Sequence, residues 1–474
     1  MSVYNDFNSL PLRRVSRILA RATAAISLFI GGAAFAQVSV RDAQNPADNP
    51  AKDSANQGQA PLDQLNLANP QGKTFVPPPE KPDKALQFFT DSKVAAQLRS
   101  YYFYRDKFDD SLSEAWALGG SLSWKSGYFM DFFSVGAVGY TSIPAYAPSD
   151  RDGTTLLEPG QKGFATLGQI YGEFKFTDRI FAAVGRKEYN TPYVNKNDTR
   201  MVPNTFEGAT VYGTAGSKDG GKTEPAIRFG AGYLDKIKER NDDDFVWMSR
   251  DAGSSAERGV VLGGANVDWQ GWSFGAMDYY SADIMNIFYA EGKGTFFKGQ
   301  DHELRLGAQF TDQRSDGNNR LTGSDFSTDQ FGLKGDFAVG DFLFTLAYTF
   351  VADGANMRSP WGSYPGYTSV QVEDFFRAGE QAGMVRVGYD LSNLGLKGVS
   401  TYGLWVHGWG VEAPDHNEDE LDANLQWAAE KNSTLNGLSV RLRYAYVRQD
   451  GGGDPDISEV RLIVNYDIPI PSFK

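Results

Sequence analysis

The chain predicts an all-β fold, a transmembrane antiparallel β-barrel, and three observations predict it. The segment Ser458–Ile468 sets Val460, Leu462, Val464, Tyr466 and Ile468 on one face. Glu459, Arg461, Asn465 and Asp467 fall on the other, with Ile463 the one exception. A period of two over about ten residues marks a strand with one apolar and one wet face, long enough for a tilted bilayer crossing. The same pattern recurs along most of the chain, and the N-terminus reads as an export signal. Half-buried strands of soluble sandwiches also alternate, so the combination, not the alternation alone, decides for a barrel.

Taken in order, residues 1–36 form the signal. Arg13, Arg14, Arg17 and Arg21 supply the basic region, Ala22 to Phe35 the apolar stretch, and Ala34-Phe35-Ala36 the cleavage pattern. Arg13-Arg14 also fits a twin-arginine signal; the general secretory route is preferred, because a barrel crosses the inner membrane unfolded. Residues 37–90 are rich in Pro, Asn, Gln, Asp and Ala, with Pro77-Pro78-Pro79 near the end. They read as a disordered periplasmic leader.

Residues 91–474 form the barrel. Val94–Tyr104, Asp301–Phe310, Asp341–Phe350, Leu421–Trp427 and Leu438–Tyr446 repeat the two-faced pattern. At roughly 21 residues per strand and connection, about 380 residues hold on the order of 16 to 18 strands, and spacing does not separate the two.

Composition agrees. Mean hydropathy is negative, and no run of about 18 apolar residues offers a transmembrane helix. A barrel needs apolar side chains only at alternate positions. Glycine at 52 residues serves turns and close strand approaches, and aromatics at 14% serve interfacial girdles. The absence of cysteine excludes disulfides, thiol catalysis and a lipidated N-terminal cysteine. A net charge of −13, more negative once the signal is removed, argues against nucleic acid as a partner. His302, His407 and His416 match no metal-ligand spacing, so neither a metal nor another cofactor is expected, and nothing points to an enzyme.

Several stretches resemble the OprD-type outer-membrane porins of Gram-negative bacteria. They are Leu98–Asp106 (LRSYYFYRD), Thr191–Gly208 (TPYVNKNDTRMVPNTFEG), Ser359–Tyr367 (SPWGSYPGY) with Asp374–Glu380 (DFFRAGE), and the closing strands with Arg441, Arg443 and Arg461. The resemblance implies a monomeric barrel of 18 strands with inward-folded constriction loops, embedded in outer-membrane lipid and lipopolysaccharide and inserted by the barrel-assembly machinery. It also implies a ladder of basic residues that passes small carboxylate-bearing solutes such as amino acids and aromatic acids. The constriction loop maps onto Asn197-Asp198-Thr199-Arg200, and Ser359–Tyr367 onto a second inward loop. The roles of Asp198 and Arg200 rest on that resemblance, and Asp198 also reads as a cap or turn former. The chain departs from the family pattern in its longer leader and in ending Pro471-Ser472-Phe473-Lys474.

Parity places the other arginines independently. Arg99 and Arg105 oppose Leu98, Tyr102 and Tyr104; Arg441 and Arg443 oppose Val440, Leu442 and Tyr444; Arg461 opposes Val460 and Leu462. Arg305 and Arg386 follow the same rule. An arginine facing lipid near the midplane costs about 2–4 kcal/mol, so these side chains belong in the lumen. They either form a ladder for anions or pair with lumen acids, as Glu303 beside Arg305 or Glu459 beside Arg461. Tyr101, Tyr364 and Tyr367 either meet an aromatic solute or pack loops. The expectation is a passive channel for small anionic, carboxylate-bearing solutes; a general diffusion porin, or a barrel-based adhesin or enzyme, is the alternative.

Overall fold

Alternation along the chain becomes one continuous sheet. In this computed structural model residues 85–299, 301–411, 417–450 and 456–470 are described. The strands are β1 (Lys93–Asp106), β2 (Leu112–Lys125), β3 (Phe133–Tyr146), β4 (Phe164–Lys175), β5 (Ile180–Lys187), β6 (Thr205–Gly216), β7 (Ala226–Lys238), β8 (Val246–Trp247), β9 (Val260–Trp269) and β10 (Trp272–Ser281). They continue as β11 (Met285–Lys298), β12 (His302–Ser315), β13 (Ser327–Val339), β14 (Phe342–Val351), β15 (Gln381–Asp390), β16 (Val399–Trp409), β17 (Glu418–Ala428), β18 (Leu438–Gln449) and β19 (Asp456–Ile468). Each pairs antiparallel with its neighbour. The two-residue β8 pairs only with Lys236 and Ile237 at the end of β7, while β7 pairs directly with β9. The wall therefore has eighteen staves, the higher of the two expected numbers.

Closure runs through β1 and β19, with Leu98 opposite Tyr466, Phe103 opposite Arg461 and Arg105 opposite Glu459. Closing the sheet leaves no edge whose backbone N–H and C=O groups would face hydrocarbon unpaired. The apolar parity faces outward: Leu98, Leu122, Val184, Phe274, Leu333, Leu346 and Leu425 are exposed. Phe342, Phe344 and Tyr389 cluster outside near one rim, with centroid separations of 5.8 and 4.5 Å from Phe342.

The two rims differ. One carries short turns, such as 270–271 and 340–341. The other carries long connections, including 188–204, 239–259 and 352–380. Gly208 follows the 188–204 connection at a register shift between β6 and β7. Its φ is +158°, and a Cβ there would lie 2.2 Å from the Tyr233 carbonyl oxygen, so glycine is what fits at this irregularity.

The signal and most of the leader lie outside the described residues. The end of the leader departs from the expected disorder: Gln87–Thr90 form a helical turn, α1. Phe88 packs on Trp124 at 6.2 Å, and its carbonyl accepts from Gly127 N–H at 3.0 Å. Among the described residues no helix is long and apolar enough to cross a membrane.

Candidate functional site: an arginine-lined constriction

Two long connections fold into the barrel and fasten to each other. In 188–204, Tyr193 inserts among Tyr279, Tyr289 and Tyr364 at centroid distances of 6.0 to 6.2 Å. Its neighbour Asn195 is the clasp. The Asn195 side-chain amide donates to the carbonyls of Pro192 (3.1 Å) and Ser363 (2.9 Å). Its oxygen accepts from the N–H groups of Asn197 (3.1 Å) and Ser363 (2.9 Å) and from the Ser363 hydroxyl (3.1 Å). Trp361 anchors the second connection by donating to the Met248 carbonyl at 2.8 Å.

That second connection, 352–380, spans the lumen. At one end Tyr367 donates to Glu291 on β11 at 2.7 Å. At the other, the N–H groups of Val372 and Glu373 donate to the Glu420 carboxylate on β17 at 2.8 and 2.7 Å. Gln371 donates to Glu459 at 2.9 Å, and Arg461 donates back to the Gln371 carbonyl at 2.8 Å. A bridge fastened to several staves narrows the barrel to a cavity of about 610 Å³.

Basic side chains outnumber acidic ones in the lining. Among the described residues, nine Arg or Lys side chains border the cavity against six Asp or Glu, which reverses the sign of the whole chain. Arg105, Arg200, Arg240 and Arg461 stand on the β1–β19 side and on the loops; Arg386, Arg441 and Arg443 stand on β15 and β18, beside Tyr402. Arg441 donates to Asn424 at 2.6 Å, and Arg443 to Tyr402 at 3.4 Å. The Arg386 guanidinium lies 4.0 Å from the Tyr402 ring centroid.

The expected site residues separate into three groups. Arg105, Arg200, Arg441, Arg443 and Arg461 line the cavity, as do Arg305 and Arg386. Arg99, Asp198 and Tyr101 are not among its lining residues; they fasten the first loop to the wall. Arg99 forms an ion pair with Asp198 at 2.6 Å and donates to the Arg200 carbonyl at 2.6 Å, while Tyr101 donates to the Thr199 carbonyl at 3.1 Å. Tyr364 and Tyr367 border the cavity but are nearly fully buried, and both pack the loops.

Some of the lumen arginines pair with acids and others do not. Arg305 pairs with Glu303, and Glu459 takes Arg461 and Arg105, each at 2.5 Å. No carboxylate of the described residues lies within ion-pair distance of Arg200 or Arg443. Arg200 instead donates from Nε to the Thr154 carbonyl (2.9 Å) and the Thr155 hydroxyl (2.8 Å). Burial, then the guanidiniums of Arg461 and Arg240, hold Arg200 well below the usual arginine range. An arginine keeps its proton regardless, so such a site favours an incoming anion.

Acidic loop residues shift the other way. Burial raises Asp374, against the opposing pull of the Ser369 hydroxyl and Arg240. Burial, with Glu418 and Asp374 nearby, pushes Glu373 up to about 7.

Arg240, Lys334, Asp422 and Tyr402 also border the cavity without having been singled out from sequence. Parity already put Asp422 and Asn424 on the polar face of their strand. Arg240 sits in a loop and carried no such signal.

No curated protein matches the chain. Among solved structures it is similar to the Pseudomonas aeruginosa protein OccK9 (OpdG), with 23% identity, a TM-score of 0.72, and coverage of 81% of this chain and 100% of that one. Pseudomonas aeruginosa OpdK, in a structure with vanillate, gives 22% identity and a TM-score of 0.69 over 80% of this chain and 99% of that one. A BenF-like porin from Pseudomonas fluorescens Pf-5 gives 19% and 0.69 over 80% and 99%. These likenesses show the fold. The family described as outer membrane porin, OprD family, matches residues 86–470, and the chain belongs to it.

Proposed function

We propose that the channel selects small carboxylate-bearing solutes and passes them down their own gradient. The carrying observation is the excess of basic over acidic side chains around a narrow cavity in an otherwise acidic protein. A carboxylate entering the constriction loses water, and fixed donors must replace it. Arg386, Arg441 and Arg443 on one side and Arg200, Arg240 and Arg461 on the other offer successive planar forks suited to carboxylate. Moderate sites in a row let the solute enter and still leave. Vanillate carries a carboxylate, and its presence in the OpdK structure supports the same solute chemistry here. On this reading the signal directs export, and the rim of short turns, where β1 begins and β19 ends, faces the periplasm.

Single-channel recording in planar bilayers tests the proposal, using reversal potentials in a salt gradient and carboxylates as blockers. The wild-type channel is expected to have small conductance, to prefer anions and to be blocked by a carboxylate, with block lost in Arg441→Ala/Arg443→Ala. Large conductance without block or mutant effect would make it a general diffusion porin. A folded barrel that conducts nothing would overturn the channel reading.

A further inference from the structure

Three of the cavity arginines share one neutral neighbour. Phe103 is only 1% exposed and lies on β1 between Tyr101 and Arg105, opposite Arg461 on β19. The guanidinium carbon of Arg200 is 5.0 Å from its ring centroid, and those of Arg105 and Arg461 are each 5.5 Å away. Glu459 serves Arg105 and Arg461, and among the described residues no carboxylate pairs with Arg200. Three like charges are thus gathered around one acid and one ring.

We propose that Phe103 is a positioning residue that holds Arg105, Arg200 and Arg461 together through its π-face without neutralising them. The physics separates a ring from an acid. A second carboxylate would bind the guanidiniums equally well but cancel the field that attracts the solute. An aromatic face offers negative electrostatic potential with no net charge, so the cations are held and their charge stays available to the lumen. The device recurs across the cavity, where Tyr402 lies under Arg386 at 4.0 Å and accepts from Arg443 at 3.4 Å. The bland alternative is that Phe103 only fills space beside Ala115, Ala117, Leu156, Met201 and Val202.

The inference rests on the carboxylate reading above, and the test keeps the two apart. Phe103 is replaced by pentafluorophenylalanine, which keeps the ring's shape and reverses its electrostatic face, and separately by leucine. Anion preference is read from the reversal potential in chloride alone, carboxylate block from titration, and folding from Tm. The fluorinated channel is expected to keep its Tm, lose anion preference and weaken carboxylate block by about five-fold, the loss of roughly one favourable cation–π contact. Wild-type preference and block in the fluorinated protein would reduce Phe103 to a filler and overturn the inference. Should Phe103→Leu fail to refold, the fluorinated protein decides alone. If no carboxylate blocks even the wild type, the proposed function falls, while the chloride measurement still judges Phe103.

Discussion

Replacing Asn195 by alanine should open the constriction while sparing the wall. The side chain is 1% exposed and makes five hydrogen bonds, two donated and three accepted, three of them with Ser363. At about 1 kcal/mol net for each, with an extra cost where a buried partner is left unsatisfied, Asn195→Ala removes roughly 3–5 kcal/mol from loop docking. That is a shift of more than a hundred-fold between docked and undocked loops. The strand ladders contain none of these bonds, so the Tm of the barrel should fall by only a few degrees. Single-channel recording should show larger, noisier conductance and weaker anion preference. Gly362→Ala should act in the same direction, because its Cβ would lie 2.5 Å from the Asn195 side chain. Wild-type conductance and preference in a folded Asn195→Ala channel would refute the clasp.

Other perturbations read other parts of the site. Glu459→Gln leaves Arg105 and Arg461 without their shared buried carboxylate; a stability loss of about 3–5 kcal/mol is expected in thermal or denaturant unfolding, together with stronger anion preference in any channel that folds. Lowering pH from 8 to 6 should raise anion preference in reversal-potential measurements. Glu373, pushed up to about 7, takes up a proton over that range and removes a negative charge beside the cavity. Because this carboxyl binds its proton more tightly when folded, its contribution to stability declines as pH rises through 7; Glu373→Gln should flatten its share of both pH dependences. Arg200→Lys keeps the charge but cannot reproduce Nε donation to Thr154 and Thr155, so carboxylate block should weaken several-fold without loss of anion preference.

Strand parity was legible because a barrel obeys one rule along every stave: lipid outside, water inside. That rule oriented Arg441, Arg443 and Arg461 correctly from their neighbours alone. Strand number was not legible from spacing, since connections run from two residues at 270–271 to the long span of 352–380; the expectation of eighteen comes from the family resemblance, and the wall has eighteen staves. The loops were harder. Asn195 and Ser363 are far apart in sequence, and no local pattern joins an asparagine to a backbone N–H in another loop. Asp198 is singled out only through the resemblance, and Tyr101 is open between solute contact and loop packing; in the structure both hold the first loop to the wall. Arg305 and Arg461 obey parity equally, but adjacent acids pair with both. Parity gives a side chain's direction and not its partner.

The contrast between an acidic chain and a basic lumen follows from distance. Charges in salt solution are screened over about 8 Å at physiological ionic strength. The run Asp242-Asp243-Asp244 lies in the 239–259 connection at the long-loop rim, half-buried at Asp242 and exposed at Asp243 and Asp244, where solvent and salt damp its field. Arg200 and Arg443 are buried in the wall of the cavity, where fewer waters intervene and the same unit charge acts more strongly on a nearby solute. On the proposed reading, a solute at the rim meets a weak, screened potential, and one in the cavity meets the guanidiniums that line it. If the preference came from bulk charge, neutralising Asp242–Asp244 would change it as much as removing Arg443. If it comes from the lining, the acidic run should matter little and Arg443 a great deal. Reversal potentials of the two variants, measured in the same salt gradient, decide between them.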